Sequence, residues 1–151
     1  MISVLITATD DPIALTRLLT ALVPAAAEGL VREVAVIGAA GPAHAIADDA
    51  GAGLHDDFAD AFQHAKGPWI AGLPLGPNFA PGWMELVMAH LGKDTQRPAR
   101  LVLRPAGISL APGPEGWLVP KGLTGSAGVV EQDLQRLARR GGGRLRILDR
   151  R

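Results

Sequence analysis

The stretch HDDFADAFQH gathers two imidazoles and three carboxylates: His55, Asp56, Asp57, Asp60 and His64. Read as a helix, Asp57, Asp60 and His64 stand at i, i+3 and i+7 and share a face, a spacing that could hold zinc or manganese. Metal sites that do chemistry usually gather ligands from several elements, however. The same residues also serve a helix without a metal. Asp56 and Asp57 cap its start and favour its positive end, while Asp60 and His64 form a solvated i, i+4 pair. That plainer reading is preferred, and no metal is expected.

A second acidic pair, Asp10 and Asp11, follows an apolar run. Asp11 before Pro12 suits an N-cap ahead of a first-position proline. Asp10 is surplus to capping, which makes it a candidate acid at a strand's carboxyl end. The Gly-rich turn VIGAAGPAHA, with Asp56 eighteen residues beyond Gly38, has elements of a dinucleotide-binding fingerprint. Val36 occupies the first glycine position, though, and Pro42 removes an amide that a phosphate would use. A plain strand-to-helix turn is expected. With no cysteine, thiolate ligands and disulfides are excluded. No serine or histidine stands in a nucleophile-elbow context, and Trp69, Trp83 and Trp117 each lie in apolar patterns that place them in a core.

These groups sit in a chain of 151 residues, 48% hydrophobic and with zero net charge, a composition for one globular domain. The opening MISVLITATDD lacks a basic flank, and its apolar run is too short for a membrane helix, so a cytoplasmic protein with no transmembrane segment is expected. Charge divides along the chain: residues 1–92 carry −7 and residues 93–151 carry +7. A solvated basic face accounts for the second half. No aromatic residues interleave its arginines as nucleic-acid stacking would require, so no nucleic-acid partner is expected.

The elements that must position these residues alternate. ISVLITA (Ile2 to Ala8), REVAVIG (Arg32 to Gly38), a brief run at Gly53 to His55 and PWIAGL (Pro68 to Leu73) read as strands. Helices follow each of them, from Pro12, at Pro42 to Gly51, at Asp56 to Gly67 and at Pro81 to Leu91. The first places Leu15, Leu18, Leu19 and Leu22 on one face; the last places Trp83, Leu86, Val87 and Leu91 inward. This order predicts a mostly parallel sheet wrapped by helices. Beyond it, Ala99 to Pro105, Gly107 to Pro112 and Gly116 to Pro120 read as short strands in antiparallel pairing. A helix over Val129 to Arg140 and a strand RLRILD close the chain.

Taken in order, ISVLITATDDPIALTRLLTALV, EVAVIGAAG, AFQHAKGPWI, FAPGWMELVMAHL, GWLVPKGLTGSAGV and VEQDLQRLARRGGGRLRIL resemble the successive segments of family-two glycosyltransferases. The resemblance runs over nearly the whole chain. It implies a GT-A-like, Rossmann-like three-layer α/β domain over 1–151, with a mostly parallel central sheet and antiparallel strands in the C-terminal half. Residues 1–92 would be its nucleotide-binding half and 93–151 its acceptor half.

The resemblance also implies where chemistry should sit. The family's Asp-x-Asp motif, whose carboxylates hold a divalent cation against the donor diphosphate, falls on Pro74, Leu75 and Gly76. None of the three can bind a hard cation through its side chain, so the family's cation is not expected. The nucleoside-binding acid falls on Gly38, and the family's first turn falls on Thr7, Ala8, Thr9 and Asp10, followed by Asp11. The acceptor-side base falls on Glu131, Gln132 or Asp133. Without a metal, a nucleotide-sugar or other anionic small molecule would have to be held by Lys121, Arg136, Arg139 or Arg140. The expectation is a degenerate glycosyltransferase homologue, a pseudoenzyme with weak or lost transfer. Two alternatives stand beside it: a protein-interaction or homo-oligomerisation module on the same scaffold, and a metal-independent glycosyltransferase.

Overall fold

A computed structural model describes residues 1–93, 96–105, 113–125 and 128–150. In chain order these form β1 (Ile2–Thr7), α1 (Pro12–Ala27), β2 (Val31–Ile37), α2 (Pro42–Asp49), β3 (Gly53–His55), α3 (Phe58–His64) and β4 (Trp69–Gly72). They continue with β5 (Asn78–Phe79), α4 (Trp83–Leu91), β6 (Ala99–Leu103), β7 (Gly116–Pro120), α5 (Glu131–Gly141) and β8 (Gly143–Asp149). The strand expected over 107–112 lies outside the described residues.

All eight strands join one sheet in the order β3-β2-β1-β4-β7-β6-β8-β5. The β3-β2-β1-β4 half is parallel throughout. β7 then runs antiparallel to both β4 and β6, as the Gly/Pro-punctuated second half predicts. β8 returns parallel to β6. The domain is thus mixed α/β, with the parallel half first and the antiparallel pairs after it.

Alternation along the strands decides the layers. Val4 and Ile6 of β1 pack with Leu15, Leu18, Leu19 and Leu22 of α1, Ala43 and Ala47 of α2, and Val87 of α4. Leu5, between them, faces the other side with Ala61 and Phe62 of α3 and Leu134 and Ala138 of α5. Continuous apolar strands are what a sheet covered on both faces requires. The four leucines of α1 are each nine-tenths or more buried, at about 1.5–3 kcal/mol apiece.

Ser3, one of two buried polar side chains among the described residues, is satisfied. Ser3 Oγ donates to Glu33 Oε1 at 2.5 Å and accepts from the Gly67 N–H at 2.8 Å. The Lys66 N–H also donates to Glu33 Oε1. These bonds tie the entry of β4 to β1 and β2. Burial would raise the Glu33 pKa, but its hydrogen bonds and the Lys66 and Arg32 charges outweigh that and hold it below the usual value.

Two expectations are corrected. Leu86 is not inward: it is 45% exposed, and α4 instead buries Val87 and His90, with Trp83, Met84 and Leu91 half-buried. Trp83, Val87 and Leu91 face inward as expected, and the stripe takes Met84 and His90 where Leu86 was expected. Its polar member is possible because His90 Nε2 pairs with the Arg97 carbonyl at 2.6 Å. The turn after β4 also holds an unexpected strand, β5, whose Asn78 and Phe79 pair with Asp149 and Leu148 of β8. Two residues are too few to show alternation, so only the partner strand defines them. No helix among the described residues is long and apolar enough to cross a membrane.

Candidate functional site

β1 has β2 and β3 on one side and β4 on the other, so the chain reverses its lateral direction between β1 and β4. The crevice outside the carboxyl ends of these two strands is where open α/β sheets bind ligands. On the β1 side, the Ala8 N–H donates to the Ile37 carbonyl at 2.9 Å, extending the pairing one residue. Asp11 caps α1 through the Ala14 N–H at 2.9 Å, as its place before Pro12 predicts. Thr9 Oγ1 accepts from the Asp11 N–H at 3.3 Å. Thr7 and Asp10 are exposed at the lip, and the Asp10 side chain has no partner among the described residues. Gly38 ends β2 at φ 71°, its N–H on the His55 carbonyl at 2.9 Å.

On the β4 side, the Leu73 N–H reaches the Leu5 carbonyl at 3.2 Å. Pro74, Leu75, Gly76 and Pro77 follow, all half-buried, with Leu75 packed on the α1-side core. Gly76 adopts φ 120°, a conformation closed to most side chains. No side-chain oxygen exists anywhere from Leu73 to Pro77.

The opposite wall is built by β7 and α5. Gly72 lies in register with Trp117, and a Cβ at Gly72 would overlap the indole. The glycine gives the ring its seat, and the buried indole N–H donates to Glu131 Oε1 at 3.1 Å. Glu131, half-buried at the start of α5, is thereby held beside the end of β4. Asp133 is engaged differently: its carboxylate accepts from the Val130 N–H at 3.4 Å and lies 3.7 Å from Arg136 Nη1. At the same end of the sheet, Glu115 takes Arg100 at 2.6 Å and Arg139 at 3.0 Å. Burial pushes the Glu115 pKa up, but the hydrogen bonds and charges of the two arginines prevail and lower it.

The basic candidates differ in what they can still do. Lys121 Nζ donates to the Gln63 carbonyl at 3.3 Å and to the Ala65 carbonyl, closing the end of α3. It is therefore a tie between β7 and α3. Arg139 is half-neutralised by Glu115, whereas Arg136 and Arg140 are exposed on α5. The acidic helix follows the plainer expectation, with Asp57 at its cap and Asp60 paired with His64, and adds His55 to that pair. Asp57 caps α3 through the Asp60 N–H at 2.8 Å and is not a partner of His64. His55 pairs through Nδ1 with Asp60 Oδ2 at 2.6 Å, while His64 Nδ1 lies 3.1 Å from Asp60 Oδ1. The His55 hydrogen bond, then the neighbouring imidazole charges, hold the Asp60 carboxyl below its usual value against burial.

Comparison with solved structures matches this architecture. Glucosyl-3-phosphoglycerate synthase from Mycobacterium tuberculosis, in complex with Mn2+, UDP-glucose and glycerol 3-phosphate, superposes with a TM-score of 0.64 at 15% identity, over 95% of this chain and 69% of that one. The same enzyme with Mn2+, UDP and glucosyl-3-phosphoglycerate gives 0.61 at 16% identity, over 82% of this chain. The fold is GT-A-like. The chain spans 57% of the length of that second structure. A further match is a mycobacterial protein, at TM-score 0.60 and 18% identity, over 82% of this chain and 54% of that one. No family model matches the sequence, and none of the curated proteins does.

Thr7, Thr9 and Asp10 follow the carboxyl end of β1, the Pro74-Leu75-Gly76 turn follows that of the neighbouring β4, and Glu131 is tied to β7 through Trp117. Lys121 is drawn away into α3. Sequence reasoning missed Glu115, whose role depends on two arginines fifteen and twenty-four residues distant. It also missed the Gly72–Trp117–Glu131 contact. The only local trace of that contact was a glycine in an otherwise bulky strand, a mark of close approach.

Proposed function

We propose that this GT-A-like domain has lost the metal-dependent route to sugar transfer, and that nucleotide-sugar binding survives weakly or not at all. The carrying observation is the Leu73–Pro77 turn. At the carboxyl end of β4 it offers two prolines, two leucines and a glycine, none with a side-chain oxygen for a hard cation. The structural neighbour was solved with Mn2+ and UDP-glucose. Without such a cation, the charge of a diphosphate in the crevice would fall to Arg136, Arg139 and Arg140, of which Arg136 and Arg139 already have carboxylate partners. The ligand class favoured is accordingly an anionic small molecule, held by guanidinium groups alone.

A metal-independent transferase is the second reading, and one observation favours it. Glu131 is oriented by the Trp117 indole while its other oxygen remains available as a proton acceptor. Asp133 is turned back to its own helix start, so Glu131 is the better base of the two.

Thermal unfolding with UDP- and GDP-sugars, with and without Mn2+, separates the readings, because a ligand of the folded state raises the melting temperature by mass action. No Mn2+-dependent rise is expected, and a clear one overturns the proposal. A rise that needs no metal, abolished by Arg139→Ala with Arg140→Ala, supports the metal-independent transferase. No rise with any nucleotide, together with a concentration-dependent dimer in solution, supports an interaction module.

A further inference from the structure

The sheet edge formed by β3, with α3 packed beside it, carries groups that the crevice does not use. His55 ends the edge strand, and Asp60 and His64 stand one turn apart on α3. One ligand atom from each residue lies within 4.8 Å of the other two. His55 is well packed, at 16% side-chain exposure, whereas Asp60 and His64 are 46% and 64% exposed. The three groups therefore combine one fixed ligand with two that can adjust and can be reached from water.

We propose that His55, Asp60 and His64 form a binding site for one divalent first-row transition-metal ion, zinc foremost, through two imidazole nitrogens and one carboxylate oxygen. Zinc holds such ligands at about 2.0–2.2 Å, which sets tetrahedral ligand atoms roughly 3.2–3.6 Å apart. At present His55 lies 2.6 Å from Asp60 Oδ2 and His64 3.1 Å from Asp60 Oδ1, so turning the exposed Asp60 and His64 side chains would set a single carboxylate oxygen between the two rings. The ligands come from a strand and a helix, and His55 replaces Asp57, whose carboxylate is held at the helix cap. A fourth position remains for water, next to a cavity of about 260 Å³ that both histidines line together with Arg32 and Glu33.

The donor set decides the metal class. Two imidazoles favour zinc, nickel, copper or cobalt over manganese and magnesium, which prefer oxygen. The site would thus select against the cation found in the structural neighbour, and it does not depend on the transferase reading. Binding would fasten α3 to the edge strand and stabilise the fold by mass action.

The test is titration of the untagged full chain with Co2+, read by its visible d–d absorption, followed by displacement with Zn2+ and with Mn2+. One Co2+ per chain is expected, displaced by zinc and not by an equal concentration of manganese. His64→Ala and Asp60→Asn, at exposed positions, should each lower Co2+ affinity by about tenfold or more, since losing a direct ligand costs at least as much as losing its supporting partner. Circular dichroism confirms that the variants are folded. His44→Ala, at an exposed histidine outside the cluster, should change nothing. Wild-type protein without a specific band, displacement by manganese equal to that by zinc, or unchanged binding in His64→Ala and Asp60→Asn overturns the proposal.

Discussion

The two walls of the crevice follow opposite rules. The turn after β4 is apolar and half-buried, shaped by proline and glycine, with no charged atom from Leu73 to Pro77. The β7–α5 wall, which meets it at Gly72, carries Glu131 on an indole N–H and Glu115 between two arginines. In a site that neutralises a diphosphate, one wall would supply a cation and the other would shape the acceptor. Here only the second wall carries charge, and its charges are largely matched among themselves. On the proposed function, scaffold and chemistry have separated: the packing that holds a site in place would persist without the electrostatics of a metal.

That contrast can be broken at the seam. Gly72→Ala would drive a methyl into the Trp117 ring and should cost about 3 kcal/mol, lowering the urea midpoint and releasing Glu131 as well. A midpoint unchanged from wild type would mean that the walls are not tied through this contact. Trp117→Phe keeps most of the ring but removes the donor to a carboxylate, so about 2 kcal/mol should be lost, with no change at the turn. Asp11→Ala touches only the β1 lip, where loss of the cap should cost about 1 kcal/mol in chemical denaturation.

The smallest effect belongs to Glu115, at below about 1 kcal/mol for a partly exposed pair. Its folded pKa is depressed below the ordinary 4.5. Its contribution is therefore complete above the unfolded value and disappears as pH falls through the folded one. Glu115→Gln should flatten the pH dependence of stability in that acidic window and leave it unchanged near neutrality. A slope equal to wild type would remove Glu115 from the charged wall.

What could be read from the chain followed the range of the interactions. The parallel half was legible because β1 and β4 are continuous apolar runs and each helix has a local stop or start, such as Asp11-Pro12. The empty turn at Pro74 to Gly76 could be read for the same reason, since absent side chains need no partner to be recognised. Leu86 was misjudged, and His55 was not seen as the partner of Asp60, because facing elements and not the periodicity of a single helix decide those contacts. Glu115 and the Trp117–Glu131 bond were invisible, since sheet register alone creates them.

The pairing of β5 with β8 has a mechanical consequence. β4 and β5 lie four strand spacings apart, about 19 Å across a flat sheet. The six residue steps from Gly72 to Asn78 reach at most about 21 Å, and only if they run straight. They bend at Gly76, so the sheet must curl to bring its far edge back over the α1 side. The turn is then a strap under short tether, fastened at Leu73 and again at Asn78. A strap of that kind cannot swing as a lid, so a ligand entering the crevice meets a wall already in place, and its association should proceed in one kinetic phase.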